Sequence, residues 1–258
     1  MFRAMHKFNS DGVEIAYAQA GEGDPILLIH GFASSAQINW RDTGWVKTLT
    51  GAGYRVITID NRGHGASDKL YDPAQYTATL MAEDARRLLD HMEIERAHVM
   101  GYSMGARITA VLTLDHPGRV RDAVFGGLAS RMITGFDNSA VIAAGLEAAS
   151  VSEVSDPAAR AFRIFADMTR SDRMALAACM KSSRMKLNPE ALAKIAVPVL
   201  IVAGDQDDTA GDIQTLVDVI PGSRGVSLPG RNHMNAVGDR GYKDAVLGFL
   251  AEGAGVGA

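Results

Sequence analysis

The stretch that decides the fold is AHVMGYSMGARITAVLTLD, which spans residues 97–115. Its first six residues form a short, mainly apolar run, which is typical of a strand buried on both faces of a parallel sheet. From Met104 to Asp115 apolar residues recur on one face of a helix, and this spacing predicts an amphipathic helix. Ser103 therefore lies in a sharp turn that leads directly from a strand into a helix.

Ser103 is the central residue of GYSMG, residues 101–105, which fits the G-x-S-x-G pattern of a strained nucleophile turn. The two flanking glycines are expected because a Cβ at either position would collide with neighbouring chain. The start of the following helix presents free N–H groups to a developing negative charge. Ser103 is therefore a candidate nucleophile. The alternative is a glycine-rich turn whose serine only caps the helix.

Strands and helices alternate along much of the chain. An apolar pattern interrupted at SDG, residues 10–12, predicts that the chain opens as two short antiparallel strands. Further short apolar runs predict strands at residues 25–30, 55–60, 97–102, 119–126, 197–204 and 225–228. Helices are predicted at residues 37–50, 77–92, 104–115 and around 242–250. This alternation indicates an α/β fold with a mostly parallel, doubly wound sheet.

The alternation stops after Leu128. Residues 129–189 are rich in alanine and methionine, contain helix-like stretches and hold no convincing strand. We interpret this segment as a helical cap inserted after the sixth strand, with residues 1–128 and 190–258 forming one core domain. The C-terminal GAGVGA, residues 253–258, has nothing to bury and is expected to be disordered.

A serine hydroxyl needs a base within hydrogen-bond reach to act as a nucleophile at neutral pH. Of the seven histidines, His233 lies in a Gly/Pro/Asn-rich loop after the last predicted strand, a position that suits a catalytic base. An acid must in turn orient the imidazole. Three aspartates follow the strand at residues 197–204, at the carboxyl edge of the sheet: Asp205, Asp207 and Asp208. Each could instead cap a helix expected to start near Thr209.

Four segments together resemble the α/β-hydrolase family, in its branch of ester hydrolases, lactonases and cofactor-free haloperoxidases, over most of the chain. They are HGF at residues 30–32, DNRGHGAS at residues 60–67, GYSMG at residues 101–105, and GDQD at residues 204–207 with the later His233. The resemblance implies that the acid is the aspartate three positions after Gly204, which is Asp207. It assigns the oxyanion hole to the main-chain N–H groups of Phe32 and Met104.

The resemblance also implies which other polar residues are structural. His30 and His64 are expected to fasten turns beside the site rather than to act as bases. Three charged residues in and beside the second segment are expected to form a network that stabilises its turn: Asp60, Arg62 and Asp68. Members of the family that hydrolyse epoxides or remove halogens use an aspartate nucleophile, so Ser103 argues against those reactions.

The chemistry expected of these residues is acyl transfer, in which Ser103 attacks a carbonyl and water later cleaves the acyl-enzyme. Because His233 must be neutral to act as a base, activity is expected to rise with pH. No metal or organic cofactor is implied. Three alternatives use the same site. They are a perhydrolase or a hydrolase of carbon–carbon bonds, an enzyme in which His233 and Asp207 abstract a substrate proton, and a ligand-binding receptor without turnover.

The composition of the predicted cap bears on the substrate. Its methionines predict an adaptable apolar pocket that favours small to medium esters or lactones: Met132, Met168, Met174, Met180 and Met185. Arg107, Arg131 or Arg184 could instead bind a substrate carboxylate, although a solvated surface position is the expectation for each.

The charge of the chain narrows the classes of partner. A net charge of −4 provides no basic surface for nucleic acid or anionic lipid, so the expected partner is a small molecule. The N-terminal residues lack the apolar stretch of a signal peptide, and no apolar run is long enough for a membrane helix. With a lone cysteine, Cys179, and no zinc-ligand spacing, a cytoplasmic protein is expected. The sequence does not define the oligomeric state.

Overall fold

The computed structural model of the chain describes residues 5–136, 138–182 and 184–254, the side chains of residues 253 and 254 excepted. A sheet of eight strands forms its centre: β1 (His6–Ser10), β2 (Val13–Ala20), β3 (Asp24–Ile29), β4 (Tyr54–Ile59), β5 (Ala97–Tyr102), β6 (Val120–Gly126), β7 (Val199–Gly204) and β8 (Arg224–Leu228). Their order across the sheet is β1-β2-β4-β3-β5-β6-β7-β8. β1 pairs antiparallel with β2, and β2 with β4, whereas the pairs from β4 through β8 are parallel. The predicted mostly parallel α/β sheet is confirmed.

The described α-helices follow the strands in the order expected of a doubly wound fold. They are α1 (Trp45–Gly51), α2 (Ala78–His91), α3 (Met104–Asp115), α4 (Arg131–Thr134), α5 (Ser139–Glu147), α6 (Pro157–Met168), α7 (Arg173–Ser182), α8 (Pro189–Leu192), α9 (Ile213–Val219), α10 (His233–Ala236) and α11 (Arg240–Ala254). Short turns of other helix types lie at Gln37–Arg41, Pro73–Tyr76, Pro117–Arg119 and Val151–Glu153.

Both faces of the sheet are buried, which explains the continuous apolar runs of its strands. Along β3 the side chains alternate: Leu27 and Ile29 belong to one core, and Ile26 and Leu28 belong to the other. Residues of α2 and α3 cover the first face, and residues of α1 and α11 cover the second. A parallel sheet needs helices on both faces, and this chain provides them.

Most predicted boundaries shift by one or two residues, and three differences have an identifiable cause or consequence. The helix predicted at residues 37–50 is broken, because Gly44 adopts a left-handed φ of 82° and α1 begins only at Trp45. The helix expected to start near Thr209 starts at Ile213, where the Asp212 side chain accepts hydrogen bonds from Thr215. Finally, α11 extends through Ala254, two residues into the tail that was expected to be disordered. Residues 255–258 of that tail lie outside the described residues.

The segment between β6 and β7 is helical, and no strand occurs among its described residues. Its helices α4 to α7 contact the core near the turns that follow β3 and β5. The ring of Phe162 on α6 packs edge-on against Phe32 at 5.7 Å, and Cys179 Sγ on α7 lies 3.8 Å from Met104 Sδ. The division into a core and a cap at residues 129–189 stays a prediction, since these contacts do not define separate units.

The strand order brings the loops of the candidate site to one edge. Ile29 pairs with Gly101, so the ends of β3 and β5 lie side by side. Gly126 pairs with both Tyr102 and Val202, which places β6 between β5 and β7. β8 pairs along β7 on its other side. The loops that leave β3, β5, β7 and β8 therefore meet at the carboxyl edge of the sheet, where open α/β sheets place their sites.

No helix among the described residues is both long enough and apolar enough to cross a bilayer.

Candidate active site

Ser103 occupies a strained backbone position between β5 and α3. Its φ is 55° and its ψ is −112°, which non-glycine residues rarely adopt. Such strain persists only where the surrounding structure enforces it, and it is typical of functional sites. The side chain is raised out of the strand-to-helix turn, although Ser103 is only 7% exposed.

The two glycines of the G-x-S-x-G pattern are required by close packing. A Cβ on Gly101 would lie 2.1 Å from the carbonyl oxygen of Gly105. A Cβ on Gly105 would lie 1.9 Å from the carbonyl oxygen of Ile29 on β3. Both distances are far below van der Waals contact, and both neighbouring atoms belong to the backbone, so close packing strongly favours glycine at both positions.

His233 lies between Ser103 and Asp207. Its Nε2 atom is 3.1 Å from Ser103 Oγ, and its Nδ1 atom is 2.9 and 3.0 Å from the two Asp207 carboxylate oxygens. An ionised carboxylate only accepts hydrogen bonds, so Nδ1 carries the proton and donates it to Asp207. Nε2 is therefore the acceptor, and it is free to receive the hydrogen of the Ser103 hydroxyl.

Asp207 is held in place before any substrate arrives. Its side chain is fully buried, while the His233 side chain is 22% exposed. The Ala210 N–H donates to Asp207 Oδ1 at 2.9 Å. Because the carboxylate is fixed by backbone on one side and faces imidazole on the other, its orientation sets the orientation of the ring.

The other two aspartates that follow β7, Asp205 and Asp208, do not contact His233. Asp205 Oδ1 accepts a hydrogen bond from the Gly230 N–H at 2.7 Å, which ties the β7 loop to the loop that carries His233. Asp208 is exposed. Of the three aspartates that follow β7, Asp207 is the one that contacts His233.

The loop that carries His233 is anchored by its own short helix. The Asn232 side chain accepts hydrogen bonds from the N–H groups of Met234 and Asn235, and the Asn235 side chain accepts one from the Asn232 N–H, so α10 begins with a capping box. Arg231 forms an ion pair with Asp239 at 2.6 Å. These contacts hold the imidazole at the N-terminus of α10.

Tyr102 is a site residue that sequence reasoning missed. Its hydroxyl donates to the carbonyl oxygen of His233 at 2.6 Å, and its ring centroid lies 5.4 Å from the imidazole. Burial raises the pKa of the Tyr102 phenol, and the charge of Asp207 raises it further. The phenol therefore stays protonated and keeps its donor role. Its place directly before Ser103 in the sequence was the available signal.

The residues predicted for the oxyanion hole lie beside Ser103. Met104 is the first residue of α3, so its N–H has no acceptor within the helix. Phe32 follows Gly31, and a Cβ built on Gly31 would lie 3.4 Å from Ser103 Cβ. The loop after β3 thus passes directly over the serine.

His30 and His64 are buried beside this loop. The Nδ1–H of His30 donates to the Gly31 carbonyl at 2.7 Å, and its Nε2 accepts from the Asn61 N–H at 3.0 Å. The Nδ1 atom of His64 lies 2.9 Å from the carbonyl oxygen of Arg62. Burial lowers the pKa of His30 to about 4 and that of His64 to about 3. Both imidazoles are neutral at pH 7, and both hold turns.

The charged residues near β4 also hold turns. Asp60 accepts hydrogen bonds from the N–H groups of Ala36 and Ala66. Three other contacts complete the network: Arg62 with Asp84 at 2.7 Å, Ser10 Oγ with Asp84 at 2.6 Å, and the Glu14 N–H with Asp68 at 2.9 Å. Asp60, Arg62 and Asp68 thus hold turns, as the sequence predicted.

Arg107 departs from its predicted position. It was expected on a solvated surface, but it is 1% exposed. Its guanidinium donates to the carbonyl oxygens of Met132, Met185 and Arg131. Because all three acceptors are backbone, Arg107 ties α3 to the helical segment.

The methionines expected to line one pocket are divided. Met132 and Met180 are buried, whereas three others are exposed: Met168, Met174 and Met185. Three of the five methionines therefore lie at the surface, and the apolar pocket predicted from them stays a prediction. No group of three or more His, Cys, Asp or Glu side chains that could hold a metal ion occurs within the described ranges.

Comparisons with known proteins identify relatives of this chain. A family model described as alpha/beta hydrolase fold matches residues 24–148. Among curated relatives, epoxide hydrolase 3 of Siraitia grosvenorii is 34% identical over 116 residues, which are 45% of this chain and 36% of that protein. BpoC of Mycobacterium tuberculosis, named as a non-heme bromoperoxidase, is 28% identical over 245 residues, covering 86% of this chain and 91% of BpoC. The chain thus spans about a third of one relative and most of the other.

Solved structures extend the likeness to nearly the whole chain. A hydrolase from Pseudomonas aeruginosa superposes with a TM-score of 0.78 at 27% identity, covering 95% of this chain and 98% of that one. An enol-lactonase from Burkholderia xenovorans shares the fold with a TM-score of 0.80 at 22% identity, covering 95% of this chain and 100% of that one. On these likenesses, together with its strand order and its strained serine turn, the chain belongs to the α/β-hydrolase fold family of enzymes.

Proposed function

We propose that the protein is a serine hydrolase that cleaves small to medium carboxylic esters or lactones. Ser103 is the nucleophile, His233 the general base and Asp207 the acid that orients it. One observation carries the proposal. Side chains from three separate loops form a continuous hydrogen-bonded chain from the Ser103 hydroxyl to a buried carboxylate, and the serine is raised on a strained turn. This is the arrangement that activates a serine for attack on a carbonyl carbon.

The proposed reaction proceeds through an acyl-enzyme. Ser103 Oγ attacks the substrate carbonyl while its proton passes to His233 Nε2, and Asp207 stabilises the imidazolium that forms. The N–H groups of Phe32 and Met104 stabilise the negative charge on the carbonyl oxygen. His233 then gives the proton to the leaving alkoxide oxygen, which becomes the alcohol. A water molecule, deprotonated by His233, attacks the acyl carbon, and Ser103 leaves with the returned proton.

Apolar side chains around the serine support a preference for uncharged acyl chains near the reacting carbon. Phe162 packs on Phe32, and Cys179 packs on Met104, so helical-segment residues cover both residues of the proposed oxyanion hole. Such a lining suits a small or medium apolar group.

The proposal can be tested by covalent labelling. A fluorophosphonate should modify the wild-type enzyme on the peptide that contains Ser103, and the Ser103→Ala variant should not be labelled. Ser227→Ala is a matched control, because Ser227 is an exposed serine on β8. A series of p-nitrophenyl esters from acetate to octanoate should then show turnover in the wild type and in the control. Labelling on another residue, or equal ester turnover by Ser103→Ala, would contradict the assignment.

Perhydrolysis is a second candidate because BpoC, the relative with the more extensive match, is named as a bromoperoxidase. In this reaction hydrogen peroxide replaces water in the attack on the acyl-enzyme and releases a peracid, which then oxidises a halide. The distinguishing measurement is the bromination of monochlorodimedone with hydrogen peroxide, bromide and acetate. Bromination that depends on both acetate and Ser103 would favour this candidate over simple hydrolysis.

Epoxide hydrolysis, the reaction in the name of the first relative, is not supported. Attack of a carboxylate on an epoxide forms an ester that water can cleave, whereas attack by the Ser103 hydroxyl forms an ether. The triad cannot hydrolyse an ether by acyl transfer, so the first turnover would inactivate the enzyme.

A further inference from the structure

Arg184 lies beside the proposed oxyanion hole. It follows α7 in the helical segment and is half-buried. Its guanidinium carbon is 5.2 Å from the centroid of the Phe32 ring and 5.3 Å from that of Phe136. Phe32 directly follows the glycine that approaches Ser103, so the Arg184 guanidinium packs on a side chain of the loop proposed to form the oxyanion hole.

No carboxylate among the described residues compensates the positive charge of Arg184. Among the described residues Arg184 forms no ion pair, whereas two other buried arginines do: Arg62 pairs with Asp84, and Arg163 pairs with Asp167. Arg107 is a second cation near Arg184. Burial lowers the pKa of Arg107 to about 10, and the charge of Arg184 lowers it further. Burial also lowers the pKa of Arg184 itself. Two neighbouring guanidinium groups without an acid create a positive potential that favours the binding of an anion.

The segment that carries Arg184 is fixed in position. Arg107 donates to the Met185 carbonyl, and the Leu187 N–H donates to the Met132 carbonyl at 3.0 Å. The Nε of Arg184 contacts Met180 Sδ at 3.4 Å. Its two terminal nitrogens have no acceptor within the described part of the chain, and they are not among the buried polar atoms sealed from solvent. Among the described residues these two donors are without an acceptor, and a guanidinium can bind a carboxylate through two such nitrogens.

We propose that Arg184 binds a second carboxylate of the substrate, so that the preferred substrates are esters or lactones that carry an acid group remote from the bond to be cleaved. This inference rests on the proposed function, since it names the substrate class of the same site. The apolar lining around Phe32 accommodates the carbon chain between the two groups. Arg184 is then a specificity residue that neutralises the substrate's distal charge, with Arg107 holding its backbone.

The proposal is tested with pairs of p-nitrophenyl esters of equal chain length. One member of each pair is the mono-ester of a dicarboxylic acid (succinate, glutarate or adipate), and the other is the ester of the simple acid (butyrate, valerate or hexanoate). The measured quantity is the ratio of kcat/KM for the acid member to kcat/KM for the neutral member. This ratio is independent of the fraction of enzyme that is folded, because misfolded protein lowers both values equally.

In the wild type, at least one pair should favour the acid member by about tenfold or more, and Arg184→Gln should lower that ratio by about 10- to 100-fold. Arg184→Lys should recover part of it, since the charge returns without the paired donors. Arg160→Gln is the control, because Arg160 is an exposed arginine on α6, and its ratio should equal that of the wild type. A wild-type ratio near or below one in every pair, or an unchanged ratio in Arg184→Gln, would overturn the proposal.

A measurement of glutarate binding distinguishes failure of this inference from failure of the proposed function. Glutarate should bind the wild type and Arg160→Gln equally in calorimetry, and it should bind Arg184→Gln at least about tenfold more weakly. If the enzyme neither hydrolyses esters nor reacts with a fluorophosphonate but still binds glutarate through Arg184, the hydrolase assignment fails while the anion site stands. If glutarate binds all three proteins equally, the anion site fails whatever the result with esters.

Discussion

The Nδ1 atom of His30 lies 2.7 Å from the carbonyl oxygen of Gly31. The peptide plane that carries this carbonyl also carries the Phe32 N–H, on its opposite side. By holding the carbonyl, the imidazole fixes the direction of the N–H proposed to stabilise the oxyanion. The Asn61 N–H donates to Nε2 at 3.0 Å, which leaves Nδ1 as the protonated nitrogen. His30 is thus a positioning residue that acts through the backbone.

Replacing His30 should therefore impair kcat more than KM. We expect His30→Ala to lower kcat by about 10- to 100-fold, because the Phe32 N–H stabilises the transition state only when it is correctly directed, whereas it contributes little to binding of the ester. His98→Ala is a matched control: His98 is also buried and paired, with Asp122 at 2.6 Å, but lies at the start of β5, far from Ser103. Steady-state kinetics well below the melting temperature would show the difference. Equal loss of kcat in both variants would mean that His30 only stabilises the fold.

Asp207→Asn should lower kcat by about 10⁴-fold, the loss typical of this change in another serine triad. An amide that presents its NH₂ group to Nδ1 favours the tautomer with hydrogen on Nε2, which cannot accept the serine proton. Asp208→Asn is the control, because Asp208 is exposed and adjacent. The measurement is kcat/KM with a p-nitrophenyl ester. The assignment of Asp207 fails if the Asp208 variant is the more impaired of the two.

Gly105→Ala should prevent folding or strongly destabilise the enzyme, because the new Cβ would lie 1.9 Å from the Ile29 carbonyl oxygen. Displacing that strand costs about 3 kcal/mol or more of the free energy of unfolding. Gly118→Ala is the control, since a Cβ on Gly118 meets nothing within 4 Å. Thermal unfolding followed by circular dichroism would compare them. A melting temperature for Gly105→Ala within a degree or two of the Gly118 variant would show that the turn can relax.

Lowering the pH should decrease the free energy of unfolding already above the pH range in which carboxylates titrate. Burial lowers the pKa of His30 to about 4 and that of His64 to about 3, whereas both groups have a pKa of ~6.5 in the unfolded chain. Between these values the unfolded state binds more protons, so the stability that is complete above pH 6.5 is lost as pH falls. The two histidines together should lower the free energy of unfolding by about 3 kcal/mol between pH 6.5 and 5. Burial raises the pKa of Asp60, and this shift opposes the loss of stability as pH falls.

Urea unfolding across this pH range measures the effect. His64→Gln should lose about half of the pH dependence, because a glutamine does not titrate. An identical slope in the wild type and in this variant would show that His64 is not the buried group responsible.

Local patterns predicted the secondary structure best where one short stretch contains all the information. Residues 97–115 became β5, the serine turn and α3 with the predicted bounds, because the apolar period changes from strand to helix at Ser103. The helix at residues 37–50 was predicted too long, since a single glycine, Gly44, adopts a left-handed conformation that the apolar pattern does not reveal. Arg107 was placed on the surface because its helix alone could not show that three carbonyl groups from a distant segment surround its guanidinium.

The sequence by itself determined the alternation of strands and helices, the glycine-flanked serine and the candidate loop histidine, because these depend on residues close together in the chain. Only the tertiary structure decided which groups meet. It brings His233 to Ser103 across 130 residues of sequence, and it turns Asp207 rather than its two neighbours toward the imidazole. Three aspartates in one loop have the same chemistry, and an arginine has the same charge anywhere. Burial and the strand order distinguish them, and both are set by contacts between parts of the chain that no local pattern connects.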